Sequence, residues 1–388
     1  MKKLDADVLI VGGGLVGAAL ALALKDTPLS VLLLEGREPV FDWPAESWDS
    51  RIYAISGSSR KLLEQTGAWA QLDKARQQAV QAMRIFGDNG PELRFDAPEA
   101  GLDRLATILE SRELQQALWQ ALRSCPNATL LAPAEPVRLA VDADAATLTL
   151  ADGRSLSARL LVGADGAQSW VRQQLAIEPK IHDYRQFGVV ANFGIEKPHH
   201  GTAFQWFSPD GVLAWLPLPA GRMSMVWSCS AALKDELLAL DAGQLATRVA
   251  AAGNGRLGVL QTITPAAAFP LRLNHVPQLV APHVALVGDA AHTVHPLAGQ
   301  GVNLGFGDVV ELAGILSAES SARCGDLDVL RRYERARREP VYRMQGVCHG
   351  LQLLFNNHHP LLKVVRNLGL GLTNQSEWLK RQLIRQAL

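Results

Sequence analysis

The sequence predicts an α/β protein with a discontinuous, doubly wound sheet, an inserted and mainly antiparallel β-sheet domain, and helices at the C-terminus. Three observations support this prediction. The chain opens with a β-α-β unit, in which an apolar strand at 8–11, a helix at 15–25 and a second strand at 30–34 follow one another. Four short strands separated by turn residues lie between 189 and 228. A further apolar strand at 284–287 follows, and the remaining chain has a helical pattern.

The composition indicates a folded chain and excludes several functions. Of 388 residues, 48% are hydrophobic and 20% are charged, which supplies enough apolar material for a large core. Lys plus Arg and Asp plus Glu are both 38, so the basic excess of a nucleic-acid binder is missing. The four cysteines form no CxxC pair, which argues against a metal site and favours a reducing, cytoplasmic compartment. Asp5 and Asp7 argue against a signal peptide.

The turn after the first strand has the spacing of a dinucleotide-binding loop. Gly12, Gly14 and Gly17 lie between that strand and the helix, and Glu35 ends the next strand eighteen residues after Gly17. The first glycine permits a tight turn, the second lets the backbone approach a pyrophosphate, and the third allows helix and strand to pack closely. Free N–H groups at the helix N-terminus attract phosphate, and an acidic strand end can bind an unphosphorylated ribose. The unit therefore predicts a Rossmann-like domain that binds FAD or NAD.

Two further glycine-aspartate motifs favour FAD. Asp165 lies in the run 163–172 and Asp289 in the run 288–303, and both runs directly follow an apolar strand. Because ligands bind at the carboxyl ends of strands in open α/β sheets, three such motifs can hold one long ligand. A glycine-rich turn after Asp289 leads into a helix, whose N-terminus can stabilise negative charge on a reduced flavin. We expect adenosine at the first motif, the ribityl chain at Asp289 and the flavin ring near 299–301.

These motifs together resemble the group A flavoprotein aromatic hydroxylases, which have the p-hydroxybenzoate hydroxylase-like fold. The motifs are most similar to those of the ubiquinone-biosynthesis hydroxylases of proteobacteria, and the resemblance spans nearly the whole chain. The segments that carry it are 49–56, 114–119, 205–211, 288–303 and 366–370. We expect an FAD-binding domain of residues 1–75, 101–180 and 275–330, a substrate domain of 76–100 and 181–274, and a C-terminal helical segment of 331–388.

The resemblance implies specific roles in holding FAD. Glu35 would bind the adenosine ribose, Arg51 would lie near the flavin and pyrophosphate, and Arg112 would contact the FAD phosphate or ribityl region. Asp165 would serve both FAD and the reduced nicotinamide donor, and Asp289 would hydrogen-bond the ribityl chain. The residues expected at the flavin end of the cofactor are Pro296, Gly299, Gln300, Gly301, Val302 and Asn303.

The resemblance also implies the chemistry. NADPH or NADH would reduce FAD, and oxygen would then form a flavin C4a-hydroperoxide that transfers OH to an electron-rich ring. Water must be excluded from that intermediate, and the aromatic-rich inserted sheet is a candidate cover. Gln205, Trp206 and Trp215 are candidate pocket residues, although a place in the sheet core is the stronger interpretation for each aromatic. His295, where this family most often has Asn, is a further substrate candidate, and the sequence identifies no catalytic base.

The C-terminal segment has two open interpretations. Residues 361–388 carry five basic side chains against Glu377 alone, with apolar residues interleaved. The segment could contact a membrane surface or other biosynthetic enzymes, which would suit a polyprenylated substrate, or it could pack on the domain with a basic outer face. The first interpretation would hold a cytoplasmic protein peripherally at the inner membrane. We expect the arginine-rich run 331–338 to be a solvated face, because Glu334 is interspersed.

Three functions remain open at this point. The leading one is an FAD-dependent monooxygenase that uses NAD(P)H and hydroxylates a lipophilic, polyprenylated phenol or quinol precursor of ubiquinone. A second keeps the flavin chemistry but acts on a small soluble aromatic. A third is a non-catalytic flavin-binding subunit of a biosynthetic complex.

Overall fold

The computed structural model describes residues 4–87, 92–208, 211–294 and 301–355. The strands of these residues are β1 Ala6–Val11, β2 Val31–Leu34, β3 Ile52–Ile55, β4 Gln78–Val80, β5 Ala82–Phe86, β6 Leu93–Asp96, β7 Ala106–Glu110, β8 Ala128–Leu131, β9 Pro136–Val141, β10 Ala146–Leu150, β11 Ser155–Gly163, β12 Lys180–Ile195, β13 Thr202–Ser208, β14 Gly211–Leu218, β15 Arg222–Ser230, β16 Leu260–Thr262, β17 Ala267–His275, β18 Val280–Ala281 and β19 Val284–Leu286. The helices are α1 Leu15–Ala23, α2 Gly57–Thr66, α3 Ser111–Arg123, α4 Trp170–Gln174, α5 Ala231–Ala239, α6 Ala242–Ala252, α7 Gly301–Ser317 and α8 Leu327–Phe355.

The first sheet is built from buried parallel strands. Its order is β18-β19-β11-β1-β2-β8, and every neighbouring pair from β19 to β8 is parallel. A ribbon of β9 and β10 joins it through an antiparallel pairing of β10 with β11. Val8, Leu9 and Ile10 are fully buried in the core that α1, α3 and α7 share with this sheet, as expected for a parallel sheet covered by helices. The predicted β-α-β opening and the strand at 284–287 are confirmed.

The second sheet confirms the predicted insertion of mainly antiparallel strands. Its order is β16-β12-β15-β14-β13-β5-β6, with β17 also paired to β12, and only β13 and β5 run parallel. Its first long strand, β12, has 16 residues, so it is much longer than the short strand predicted there. One face packs against α5 and α6 through Leu237, Leu245 and Val249. The sequence pattern had predicted neither helix.

A small third sheet connects the two larger ones. It has the order β3-β7-β4 and is antiparallel throughout. Ile108 of β7 packs with Ala203 and Leu218 of the second sheet, on the face opposite to α5 and α6. Asn303 at the start of α7 donates from Nδ2 to the carbonyl oxygen of Ala54 in β3 at 2.8 Å. The small sheet therefore lies between the antiparallel sheet and the parallel sheet's helices.

The helix α8 corrects one prediction. Arg337 lies in the run expected to be a solvated face, yet its side chain is buried and its Nε donates to Asp308 Oδ1 of α7 at 2.6 Å. The prediction was wrong for this residue because α8 packs against α7 and turns one of its arginines inward, whereas Arg331 and Arg335 remain exposed. No helix of the described ranges combines the length and the apolar character needed to cross a bilayer. Residues 361–388 lie outside the described part of the chain.

Candidate active site

The three sequence motifs meet at one edge of the parallel sheet. β1, β11 and β19 are neighbouring parallel strands, so the loops after them emerge side by side at their carboxyl ends. Gly12 has φ +108°, and a Cβ there would lie 2.5 Å from the carbonyl oxygen of Ala164, the residue before Asp165. A Cβ on Gly288 would lie 3.1 Å from a side-chain carbon of Val16 in α1. The first and third loops therefore pack directly on their neighbours, without room for side chains.

The glycines of the first motif have different surroundings. A Cβ on Gly17 would lie 2.0 Å from the carbonyl oxygen of Gly12, so this position brings the helix onto the strand end. A Cβ on Gly14 would meet no atom of the described residues within 4 Å. Gly14 is the N-cap of α1, and no side chain caps that helix. The N-terminus of α1 thus offers backbone N–H groups to an open space, which suits a phosphate.

Glu35 is held beside this turn at the end of β2. Its Oε2 accepts from the Gly13 N–H at 2.7 Å, and its Oε1 accepts from the Arg37 N–H at 3.2 Å. The indole N–H of Trp119 donates to the Gly13 carbonyl oxygen at 2.8 Å. These bonds fix the carboxylate while leaving acceptor capacity on both oxygens, as hydrogen bonding to ribose hydroxyls would require.

The second motif has an unused carboxylate oxygen. Asp165 Oδ2 accepts from the Val171 N–H at 3.0 Å, whereas its Oδ1 is buried without a hydrogen-bond partner in the described part of the chain. Arg172 is 4% exposed and donates to the carbonyl oxygens of Ala290 at 2.8 Å and Ala167 at 2.9 Å. Burial lowers the pKa of Arg172, and the charge of Asp165 opposes that shift. Arg172 therefore ties the second loop to the third, a role that the motif spacing alone does not show.

Asp289 lies on the third loop, and we call the open space beside the three loop ends, which borders Gly14 and the exposed Asp289, the cleft. Protein surrounds Asp289 on most sides, yet its side chain stays accessible to water, so it lines an open space rather than the core. The surrounding protein raises the pKa of Asp289 against the opposing charges of His292 and Arg51. Burial likewise raises the pKa of Tyr53, whose hydroxyl bonds to Ser111 and interacts with both Arg51 and Asp289. Arg51, Tyr53 and Asp289 are therefore near enough to influence one another electrostatically.

The flavin-end residues are only partly described. Gly301 begins α7, and a Cβ there would meet no atom within 4 Å in the ranges that the structure describes, while Val302 is buried. Asn303 Oδ1 accepts from the Ser56 N–H at 3.0 Å, so this amide ties the first turn of α7 to the segment after β3. The predicted residues His295, Pro296, Gly299 and Gln300 lie outside the described residues.

Arg112 lies under the loop that carries Arg51. Its Nη1 donates to Ser47 Oγ at 2.9 Å, its Nη2 to the Ser47 carbonyl oxygen, and it pairs with Glu110 at 3.1 Å. The Arg112 N–H donates to Asp49 Oδ2 at 3.2 Å. Its Nε is buried and has no hydrogen-bond partner among the described residues. In this structure the guanidinium mainly fixes the 47–51 loop.

The substrate candidates divide between the two faces of the antiparallel sheet. Trp215 is 1% exposed and packs with Phe204 and Trp206 in the core under α5 and α6. This placement favours the core interpretation of both tryptophans. Gln205 points the other way, because side chains alternate along β13, and it lies on the face that bears Ala203 and the small sheet.

A buried polar cluster next to Asp289 was missed. Asp308 of α7 is fully buried, and its Oδ2 accepts from the Gly288 N–H at 2.8 Å and from His292 Nε2 at 2.7 Å. Its Oδ1 accepts from Arg337 Nε. A signal was present, since an acidic residue in the middle of a mostly apolar helix requires partners if that face is buried.

Comparison with known proteins agrees with this geometry. The chain matches the FAD binding domain family over residues 5–345. It is 38% identical over 390 residues to the 3-demethoxyubiquinol 3-hydroxylase of Escherichia coli (strain K12), and the match covers 100% of both chains. It is 36% identical to the ubiquinone hydroxylase UbiL of Rhodospirillum rubrum, over 99% of this chain and 89% of that one. The chain belongs to the family of FAD-dependent ubiquinone-biosynthesis hydroxylases.

The fold of this hydroxylase family member also matches solved structures. The crystal structure of PqsL, a probable FAD-dependent monooxygenase from Pseudomonas aeruginosa, superposes with a TM-score of 0.78 at 23% identity. That match covers 94% of this chain and 99% of PqsL. The predicted fold and family are therefore confirmed, and the protein is an FAD-dependent monooxygenase.

The described residues fit FAD. Gly14 leaves space at an uncapped helix N-terminus, Asp165 Oδ1 is a buried acceptor without a partner, and Asp289 faces an open cleft. The hydroxylase thus has donors and acceptors for the pyrophosphate, the ribose and the ribityl chain along one sheet edge.

Proposed function

We propose that this protein hydroxylates the aromatic ring of a polyprenylated phenol or quinol intermediate in ubiquinone biosynthesis, with NAD(P)H and O2 as co-substrates. The observation that carries the proposal is the convergence of the three motif loops on one cleft, in a chain that aligns over its full length with a 3-demethoxyubiquinol 3-hydroxylase. When bound, FAD takes electrons from the nicotinamide and activates oxygen for transfer to the ring.

The chain's own residues supply binding and orientation. We assign the pyrophosphate to Gly12, Gly14, Gly17 and the α1 N-terminus, and the ribose hydroxyls to Glu35. The remaining cofactor contacts are assigned to Arg51, Arg112, Asp165, Asp289, Gly301, Val302 and Asn303, together with Pro296, Gly299 and Gln300. Asn303 contributes by fixing α7 against β3, which positions the start of that helix at the cleft.

The substrate ring is assigned to the space between the cleft and the antiparallel sheet. Asn192 of β12 lies on the sheet face opposite to α5 and α6, and its Nδ2 donates to the Asp49 carbonyl oxygen at 2.8 Å. This bond joins the sheet to the loop that carries Arg51. Gln205 lies on the same face and is the better substrate candidate of the three predicted in this sheet. Covering the ring by this face would keep water from the reacting atoms.

We also propose a division of the chain into two domains and a C-terminal segment. We place FAD in a domain of residues 1–75, 101–180 and 275–330, and the substrate cover in 76–100 and 181–274. The C-terminal segment 331–388, which the sequence predicts to be helical, ends in a basic and apolar stretch that we assign to a membrane surface or to other biosynthetic enzymes. A lipophilic substrate would then reach a cytoplasmic protein held peripherally at the inner membrane.

Profiling quinone intermediates in a deletion strain tests the proposal. We expect one prenylated precursor to accumulate that lacks a single ring hydroxyl, and that compound identifies the position attacked. Re-expression of the wild-type chain should restore the quinone, while a Gly14→Ala variant expressed to the same level should not. A normal quinone profile in the deletion strain would contradict the assignment to ubiquinone biosynthesis.

Purified protein tests the enzyme class separately. The FAD-loaded protein should oxidise NADPH or NADH faster when a prenylated phenol is added, with one hydroxylated product for each O2 consumed. A yellow protein that never oxidises either donor would support the non-catalytic alternative, and turnover of soluble phenols alone would support a soluble substrate.

A further inference from the structure

One buried carboxylate, that of Asp308, accepts hydrogen bonds from both ends of the turn that carries Asp289. Asp308 accepts from the Gly288 N–H, which precedes Asp289, and from His292 Nε2, three residues after it. Both bonds end on the same oxygen, Oδ2, at 2.8 Å and 2.7 Å. The two ends of the turn are therefore fixed to one point of α7.

This carboxylate is fully enclosed and ionised. Burial alone would raise the pKa of Asp308, but the charges and hydrogen bonds of His292 and Arg337 outweigh it and hold that pKa below its ordinary value. Arg337 in turn donates from Nη2 to the Leu304 carbonyl oxygen at 3.0 Å. Because the carboxylate only accepts, Nε2 of His292 must carry the proton of the His292–Asp308 bond.

The turn is also held by Arg172, which donates to the Ala290 carbonyl oxygen at 2.8 Å, and by close backbone packing. Gly288 has φ +60°, and a Cβ there would meet Val16. A Cβ on Gly305, one residue beyond Leu304 in α7, would lie 2.7 Å from Val16 and 3.3 Å from the Gly288 Cα. The turn, α1 and α7 thus pack at backbone distance, and Asp289 is the residue of the turn that faces the open cleft.

We propose that Asp308 is a positioning residue for the cofactor: it fixes the 288–292 turn so that the Asp289 carboxylate points at the ribityl chain, with Arg337 as its counter-charge. The inference rests on the proposed assignment of Asp289 to FAD. Asp308 does not touch the cofactor in this scheme. It acts on FAD only through Asp289, and this dependence can be measured.

A double-mutant cycle on FAD affinity tests the proposal. Apoprotein is titrated with FAD, and the quenching of flavin fluorescence gives Kd for the wild type, Asp308→Asn, Asp289→Asn and the double variant. Each single variant should weaken FAD binding about tenfold or more, the loss expected for a hydrogen bond to a charged group. If Asp308 acts through Asp289, Asp308→Asn should add no more than about threefold in the Asp289→Asn background.

Two results would overturn parts of the scheme, and they are distinguishable. If the fold-changes in Kd of the two single variants multiply in full in the double variant, Asp308 supports the fold in general and is not a positioning residue. If Asp289→Asn alone leaves Kd unchanged, the assignment of Asp289 to FAD fails, and the positioning role fails with it. Glu311→Gln, which removes a carboxylate one turn further along α7, is the matched control and should leave Kd unchanged.

A second variant pair keeps the test decisive if Asp308→Asn does not fold. His292→Leu removes one donor to Asp308, and His292→Gln keeps a side-chain N–H that can reach it. His292→Leu should weaken FAD binding in the wild-type background but not in the Asp289→Asn background, and His292→Gln should restore most of the affinity. Equal losses in both backgrounds would contradict the proposal.

Discussion

Arg337 of α8 and Asp308 of α7 form a buried ion pair, with Arg337 Nε 2.6 Å from Asp308 Oδ1, directly beneath the turn that presents Asp289. Replacing both partners of a buried ion pair by well-packed apolar groups usually costs little stability. Removing only one partner is costly, because it leaves an uncompensated charge in the core. The relationship therefore predicts that single substitutions at this pair are costly.

Arg337→Met should destabilise the protein by about 3–5 kcal/mol, because Asp308 would lose its counter-charge in the core. Urea unfolding at neutral pH measures the change. Arg335→Met, an exposed arginine of the same helix, is the control and should shift stability by less than about 0.5 kcal/mol. Equal effects of the two substitutions would show that the pair is not energetically important.

The same pair predicts the response to acid. The pKa of Asp308 is lowered in the folded state, so its ionised form stabilises the fold above its ordinary pKa, and that stabilisation is lost as the pH falls through the lower folded pKa. Removing Arg337 raises the folded pKa, so the loss should begin at a higher pH. Acid unfolding followed by circular dichroism should therefore show a higher midpoint pH for Arg337→Met than for the wild type. An unchanged midpoint would argue against an ionised Asp308.

Asp289 should have the opposite pH dependence in the apoprotein. Its pKa is raised by the surrounding protein, so the ionised carboxylate costs stability, and this cost appears as the pH rises from the ordinary pKa through the raised one. Asp289→Asn should therefore raise the apoprotein Tm at neutral pH while it weakens FAD binding. Calorimetry at pH 4 and pH 7 checks this, since the gain should be present at pH 7 and smaller at pH 4. A lower Tm at pH 7 would contradict the prediction.

Gly14 and Gly17 should respond differently to the same added methyl group. At Gly17 the new Cβ would lie 2.0 Å from a backbone oxygen that cannot move freely, so Gly17→Ala should cost at least about 1–3 kcal/mol. At Gly14 the Cβ would enter open space, so Gly14→Ala should cost under about 1 kcal/mol while weakening FAD binding about tenfold or more. Thermal unfolding of apoprotein and FAD titration separate the two effects. Loss of stability without loss of affinity in Gly14→Ala would exclude the pyrophosphate assignment.

Trp215 should behave as a core residue. It is 1% exposed and packs against the position of Gly253, where a Cβ would lie 1.9 Å from its ring. Trp215→Ala should cost about 3–5 kcal/mol of stability, as large-to-small core substitutions do. The KM for the aromatic substrate should stay within about twofold in the folded fraction. A large rise in KM without loss of stability would restore Trp215 as a substrate contact.

The sequence by itself determined the nucleotide-binding unit and its cofactor class. The glycines at 12, 14 and 17 and the acid at 35 have local roles, because a tight turn, a helix start and a strand end are set by neighbouring residues. The order of three motifs after three apolar strands was enough to favour one long ligand. The antiparallel insertion was also predictable, since alternating patterns and turn residues act over short distances.

Tertiary structure alone decided which polar groups work together. His292 and Arg337 lie 16 and 29 residues from Asp308 along the chain, and no local pattern shows that one carboxylate bonds to both. The same holds for Asn303, which bonds a backbone 247 residues away. It also holds for Trp206 and Trp215, because strand alternation separates them from Gln205, and only the packing of α5 and α6 shows which face is core. Local sequence sets backbone geometry, whereas the partners of a buried charge depend on how distant elements pack.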